Sequence, residues 1–123
     1  MSDWNDKQPI FHQIKERIEK QILLGIWAEG TALPSVRAVA ADLKINHLTV
    51  MKAYQLLVDN NLIEKKRGQG MFVLSGALEK LKAEKKQQFL TQDIPNIVQM
   101  LKRIDMPLHD FINELEKQIE EDK

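Results

Sequence analysis

Residues 33–61 read LPSVRAVAADLKINHLTVMKAYQLLVDNN and predict two amphipathic helices joined by a short turn. The first helix is predicted over Val36–Leu43, with Ser35 as its N-cap, because a serine hydroxyl accepts a hydrogen bond from a free N–H group of the first turn. Asn46 has the same role for the second helix, which is predicted from residue 47 to about residue 60. Two helices joined so closely are typical of a helix-turn-helix.

The two ends and the buried face of the second helix follow from residue type. Its apolar stripe consists of Val50, Ala53, Tyr54 and Leu57. Asn60 and Asn61 end it, because asparagine tolerates the left-handed conformation found at many helix termini. Lys44 stands in the turn, where glycine is usual, and a side chain at positive φ costs on the order of 1 kcal/mol. Residues 27–31 predict a loop before the first helix.

The flanking segments predict a further helix and a hairpin. An isoleucine at every fourth position, between Pro9 and Gly25, predicts an amphipathic helix. These isoleucines are Ile10, Ile14, Ile18 and Ile22. Residues 62–65 and 71–74 predict two short strands around the glycine-bearing turn at residues 67–70. Three helices followed by a basic hairpin are the plan of a winged helix-turn-helix.

Beyond Gly76 the sequence predicts a helical tail. Its first apolar stripe consists of Ile94, Ile97, Val98, Leu101 and Ile104. Pro95 lies inside this stripe, so the region is either one long kinked helix or two helices that meet near Asp93. A last amphipathic helix is reached through residues 105–107. Its apolar positions are Leu108, Phe111, Ile112, Leu115 and Ile119.

We expect the tail to pair two copies of the chain, because two short amphipathic helices expose more apolar surface than they can bury. The residues expected at this homodimer interface are Ile94, Ile97, Leu101, Ile104, Leu108, Phe111, Ile112, Leu115 and Ile119. The predicted fold is therefore mainly α with a small β-hairpin wing. Residues 1–76 form the winged helix-turn-helix domain and residues 77–123 the helical dimerisation region.

Composition and charge limit the classes of function. Hydrophobic residues make up 43% of the chain and charged residues 29%, as in ordinary soluble proteins. The net charge is zero, but residues 31–75 hold 6 basic and 3 acidic side chains, whereas both flanks are acidic. This asymmetry favours an anionic partner for the middle segment. No apolar run approaches the ~20 residues of a membrane span, and the N-terminus lacks the apolar stretch of a signal peptide, so we expect a cytoplasmic protein.

We predict no enzymatic activity, cofactor or metal site. The chain has no cysteine, which excludes thiolate zinc sites and cysteine nucleophiles. No nucleophile–base pair or phosphate-cradling loop is recognisable. His12, His109 and Asp110 lack metal-ligand spacing. A small-molecule effector at the dimer interface stays open as a further partner, because the tail alone is too short to enclose a pocket of ~300 Å³.

Three segments of the chain resemble, in order and spacing, the N-terminal domain of the GntR family. They are PIFHQIKERIEKQILLG at residues 9–25, LPSVRAVAADL at residues 33–43, and TVMKAYQLLVDNNLIEKKRGQGMFV at residues 49–73. The short two-helix tail is similar to that of the YtrA-type subfamily. The resemblance implies a sequence-specific transcriptional regulator, expected to be a repressor, that binds double-stranded DNA at an inverted-repeat operator as a homodimer.

The same resemblance implies which side chains contact DNA. They belong to the LPSxR element, the start and exposed face of the recognition helix, and the wing tip, which in the family reaches the minor groove. These residues are Ser35, Arg37, Asn46, His47, Leu48, Thr49, Lys52, Arg67, Gly68 and Gln69. His47, Leu48 and Met51 depart from the residues common in the family. The base preference of relatives therefore does not carry over.

Two other functions compete with DNA binding. Winged helices also serve as protein-interaction modules, and an RNA-binding domain is the third hypothesis. The basic residues have structural alternatives as well. Arg37 is a candidate ion-pair partner of Asp42 or Glu64, and residues 65–67 resemble a charged edge strand that discourages aggregation.

Overall fold

The computed structural model describes Trp4 and residues 7–122. Its helices and strands are α1 (Ile10–Leu23), α2 (Val36–Leu43), α3 (His47–Asp59), β1 (Ile63–Lys66), β2 (Gly70–Val73), α4 (Ala77–Gln88), α5 (Ile94–Arg103) and α6 (Leu108–Glu121). A π-helical segment, Phe89–Asp93, lies between α4 and α5. The chain divides into two compact units, of which the first ends at Ala83 and the second begins at Glu84. The predicted fold class is confirmed.

The helix-turn-helix has the predicted caps and turn. Ser35 Oγ accepts a hydrogen bond from the Ala38 N–H at 3.0 Å and so caps α2. Asn46 Oδ1 accepts one from the Leu48 N–H at 2.8 Å and caps α3. Lys44, between the two helices, has φ 57° and ψ 47°, the left-handed conformation that the sequence predicts. A residue with a Cβ is therefore held in a turn that glycine adopts without strain.

We expect Lys44→Gly to stabilise the protein by about 1 kcal/mol, because it relieves the left-handed strain at an exposed turn. The measurement is urea unfolding followed by circular dichroism. Ala41→Gly is the matched control: this exposed residue lies inside α2, where glycine destabilises by about 1 kcal/mol. If both substitutions lower the urea concentration at the unfolding midpoint, the left-handed conformation of Lys44 does not strain the turn.

One apolar core holds the first unit together. Its buried members are Ile14, Ile18, Ile22, Leu33, Ala40, Val50, Ala53, Tyr54, Leu57, Leu62, Ile63, Val73, Ala77 and Leu81. Ala77 and Leu81 belong to α4, although the sequence places the domain boundary at residue 76. The first compact unit continues past that point to Ala83, because these two side chains are buried with the winged-helix core.

Two long-range hydrogen bonds attach the start of α4 to this unit. Glu29 Oε2 accepts a hydrogen bond from the Leu78 N–H at 3.0 Å and caps the first turn of α4. Lys80 Nζ donates to the carbonyl oxygen of Asn60 at 2.6 Å, at the C-terminal end of α3. The carboxylate of Glu29 thus lies at the positive N-terminal end of α4, and the ammonium group of Lys80 lies at the negative C-terminal end of α3.

The wing is an antiparallel hairpin in which Ile63 pairs with Val73 and Lys66 with Gly70. Compared with the prediction, β1 begins and ends one residue later and β2 one residue earlier. The reason is a tighter turn: the Gln69 N–H donates to the Lys66 carbonyl oxygen at 2.8 Å, and Gly70 joins the strand at φ 100°.

Part of the segment predicted as a loop before α2 pairs with the wing. The Val73 N–H donates to Thr31 O at 3.0 Å, and the Leu33 N–H donates to Met71 O at 2.8 Å. A single β-bridge joins Ala32 to Phe72. Residues 27–31 form no helix or strand, as predicted, and the backbone groups from Thr31 to Leu33 complete the second edge of β2.

The helical tail is unbroken at Pro95. Asp93 keeps helical φ and ψ values of −73° and −44°, and the Ile94 N–H donates to the Phe89 carbonyl oxygen, five residues back. Proline has no N–H to donate to the preceding turn, and the wider π turn before it accommodates that gap. Of the two alternatives, two separate helices meeting near Asp93 is wrong.

In the second unit, α5 and α6 contain no buried residue. Their exposed large apolar side chains are Ile94, Val98, Met100, Ile104, Leu108, Ile112, Leu115 and Ile119. Ile97, Leu101 and Phe111 are half-buried. The described residues of this unit therefore leave an apolar face uncovered.

Candidate nucleic-acid interface

Arg37 and the first turn of α3 lie side by side. One open hollow on the first unit is lined by Arg37, Ala40, Ala41, Ile45, Asn46, His47 and Leu48. Its lining combines small or apolar side chains with the polar or charged side chains of Arg37, Asn46 and His47. The structure thus brings together the LPSxR arginine and the N-terminal turn of α3, which the sequence predicts as parts of one surface.

The exposed face of α3 lies opposite its buried stripe. Val50, Ala53, Tyr54 and Leu57 are buried, whereas Leu48, Met51 and Lys52 are exposed. Successive residues of an α-helix turn by about 100°, so positions 48, 51 and 52 share the face that the core does not use. Thr49 is half-buried at its edge.

The cations of this surface differ in their surroundings. Arg37 is exposed, and within the residues that the structure describes it forms no ion pair with Asp42 or Glu64. Among the described residues, Arg37 therefore does not have the alternative role of an ion-pair partner. Lys52 Nζ lies 4.1 Å from the centroid of the Phe11 ring, a cation–π contact that positions the ammonium group at the surface.

Tyr54 fixes α3 against the segment that leads into α2. Its hydroxyl donates a hydrogen bond to the Pro34 carbonyl oxygen at 2.6 Å, while its ring lies in the core. Burial raises the pKa of Tyr54 to about 12, because the interior disfavours the phenolate. The sequence predicts Tyr54 only as a core residue, since the position of its hydroxyl partner depends on the tertiary fold.

We expect Tyr54, the only tyrosine of the chain, to titrate near pH 12 in the folded protein and near pH 10 in urea. The raised pKa means that its contribution to stability is complete below pH 10 and is lost between pH 10 and pH 12. Ultraviolet absorbance of the phenolate measures both midpoints directly.

Tyr54→Phe is the matched variant for this titration. It removes the hydrogen bond to Pro34, which costs about 1 kcal/mol. The free energy of unfolding of this variant should then fall less between pH 10 and pH 12 than that of the wild type. A single midpoint near pH 10 in both states contradicts the prediction.

The wing tip forms a separate part of the candidate surface. Arg67, Gly68 and Gln69 are exposed, and Gly68 has φ 76°, which a residue with a Cβ rarely adopts. Lys66 Nζ lies 4.4 Å from the Phe72 ring centroid. Among the described residues no hydrogen bond or ion pair joins the tip to α2 or α3, so the hairpin alone holds it in place.

Ser35, like Asn46, is a predicted site residue whose side-chain oxygen already caps a helix, in its case α2. A hydroxyl group that accepts one hydrogen bond still has a proton to donate. The side chain therefore retains a donor for an acceptor such as a phosphate oxygen.

The described part of the chain offers little else for chemistry. No three His, Cys, Asp or Glu side chains in it come close enough to hold a metal ion. His109 Nε2 lies 3.0 Å from Asp110 Oδ1, and the His12 ring lies tilted by 31° against the Phe11 ring with centroids 4.8 Å apart. Across the same residues, no helix combines the length and the apolar character needed to cross a membrane.

Comparison with known proteins identifies related sequences. Residues 11–73 match the family model described as "Bacterial regulatory proteins, gntR family". The chain is 37% identical over 75 residues to the transcriptional repressor YtrA of Bacillus subtilis (strain 168), covering 61% of this chain and 58% of YtrA. It spans between 18% and 58% of the length of three curated relatives that it matches.

Solved structures show the same architecture over almost the whole chain. A GntR family transcriptional regulator from Listeria monocytogenes has a TM-score of 0.77 at 26% identity, covering 93% of this chain and 98% of that one. YtrA from Sulfolobus acidocaldarius, a GntR-family transcription factor, has a TM-score of 0.54 at 26% identity, covering 98% and 97%. The likeness therefore includes the helical tail.

Proposed function

The chain belongs to the GntR family of bacterial regulatory proteins, and from this premise we propose that it is a transcriptional regulator that binds specific duplex DNA. The recognition helix is α3, Arg37 is beside it, and the wing tip is the second contact. The proposal depends chiefly on one observation: the hollow that Arg37 shares with the first turn of α3. The confirmed resemblance to the YtrA type is its second support.

The chemistry of this surface suits a polyanion. The N-terminus of α3 is the positive end of the helix dipole and favours phosphate oxygens, although Asn46 already accepts a hydrogen bond from its Leu48 N–H. Arg37, Lys52 and Arg67 add charge that displaces counterions from DNA. Asn46, His47 and Thr49 have the donors and acceptors that read base edges or position the backbone. An α-helix with one exposed face fits the major groove, which is about 12 Å wide.

We infer that two copies act together through the second unit. The uncovered apolar face of α5 and α6 is large for so small a unit, and a two-fold pairing covers it on both copies at once. Two recognition helices then read an inverted repeat. YtrA of Bacillus subtilis is a repressor, and we propose repression and a cytoplasmic location for this chain too. An effector, if one binds, is expected at the interface between the copies.

Selection from a random duplex pool, followed by fluorescence anisotropy over a range of salt concentrations, tests the proposal. The slope of log K against log salt should be about −0.9 for each phosphate that the protein neutralises. Duplex RNA of the same sequence is the competitor that separates DNA from RNA binding. Failure to bind any duplex at low ionic strength would leave the protein-interaction alternative.

A further inference from the structure

Leu48 and Met51 are large apolar side chains on the exposed face of α3, with 59% and 49% of their surface accessible. Leu57 is fully buried and lies nine positions after Leu48, about half a turn around the helix axis. Leu48 therefore points away from the core. Among the described residues, neither Leu48 nor Met51 belongs to the apolar core or to the side chains that pack against it.

The surroundings of these two side chains indicate what covers them. Arg37 lines the same hollow as Leu48, and Lys52 follows Met51 along the exposed face. A surface that pairs cations with apolar groups complements a polyanion that also carries apolar groups. In the major groove of DNA the apolar group on the base edges is the C5-methyl of thymine.

We propose that Leu48 and Met51 recognise thymine by contact with its C5-methyl group, so that each operator half-site carries thymine at the positions facing them. This inference rests on the proposed function and adds the base that α3 prefers. The contacts are apolar and short-range. They select sequence without adding to the salt dependence, which the cations supply.

Deoxyuridine provides a direct test, because it lacks the C5-methyl of thymidine and keeps every hydrogen-bonding atom of the base. The probe is a duplex selected from a random pool built with thymidine. Its thymines are then replaced by deoxyuridine one at a time. At one or two thymines of each half-site, loss of a buried methyl should weaken binding about fourfold.

Variants assign the effect to the two side chains. Leu48→Ala and Met51→Ala should weaken binding to the thymidine duplex and leave binding to the deoxyuridine duplex almost unchanged, so that the ratio of the two affinities approaches one. Exposed positions tolerate such truncation with little effect on folding. Leu24→Ala is the matched control, because Leu24 is 66% exposed just after α1 and should leave the ratio unchanged.

The outcomes separate this inference from the function on which it rests. If the wild type binds the thymidine duplex and the deoxyuridine duplex equally well at every thymine, the inference is overturned and DNA binding still stands. A ratio that persists in both Leu48→Ala and Met51→Ala also overturns it, because other side chains then contact the methyl groups. If no thymidine duplex is bound at all, the proposed function fails as well.

Discussion

Arg37→Glu is expected to weaken binding to the selected duplex about 100-fold. Loss of an arginine that contacts DNA costs about 1–3 kcal/mol, each 1.4 kcal/mol is a tenfold change in affinity, and the new carboxylate repels the phosphates. Because Arg37 forms no ion pair within the described residues, its replacement leaves no charge of the first unit unpaired. Anisotropy titrations over several salt concentrations measure the loss of affinity and the shallower salt slope.

Lys117→Glu is the control for this charge reversal. It changes the net charge by the same amount and lies on the polar face of α6, roughly opposite the apolar positions. We expect less than a threefold effect from it, since Lys117 is an exposed residue outside the proposed DNA surface and salt screens exposed charges. Equal losses from both variants mean that only the overall charge matters and that Arg37 has no specific place at the DNA.

Ile112→Glu combined with Leu115→Glu is expected to separate the two copies and to lower affinity for the inverted repeat by about 100-fold or more. Both residues are large apolar side chains of α6 and 41% and 45% exposed, so the substitution should spare the fold of the single chain. Linked binding to two half-sites raises affinity by roughly 10²–10⁴, and this gain is lost in a monomer.

Light scattering after size exclusion gives the assembly state directly. The wild type should have twice the chain mass of 14.3 kDa and the double variant that mass alone. Asn113→Glu introduces a charge on the same helix outside the apolar stripe and should leave both mass and affinity unchanged. A wild type that is a stable monomer at micromolar concentration refutes the proposed pairing.

The sequence predicts the helix-turn-helix closely because its determinants are local. Ser35 and Asn46 cap helices within two or three residues of themselves, and Lys44 adopts the left-handed turn between them. The sequence does not predict the β-bridge between Ala32 and Phe72, because it depends on a partner some forty residues away. The hydroxyl of Tyr54 and the carboxylate of Glu29 escaped prediction for the same reason.

The sequence predicts the candidate site only in part. The resemblance assigns Arg37 and Asn46 to one surface, and their common hollow agrees with that assignment. Sequence periodicity also separates the buried stripe of α3 from its outer face. It does not reveal that Arg37 lacks an ion-pair partner or that Phe11 lies under Lys52, because both depend on side chains brought together by folding.

The start of α4 has a practical consequence for anyone who recombines regulators of this kind. Ala77 and Leu81 fill the interior of the winged-helix unit, and Glu29 and Lys80 bond across the same junction. A chimera joined at residue 76 replaces Leu81 by the residue at that position of the other protein. If that residue is too small to fill the space, the free energy of unfolding falls by about 2–5 kcal/mol. Exchangeable modules from this chain should therefore be cut after Ala83.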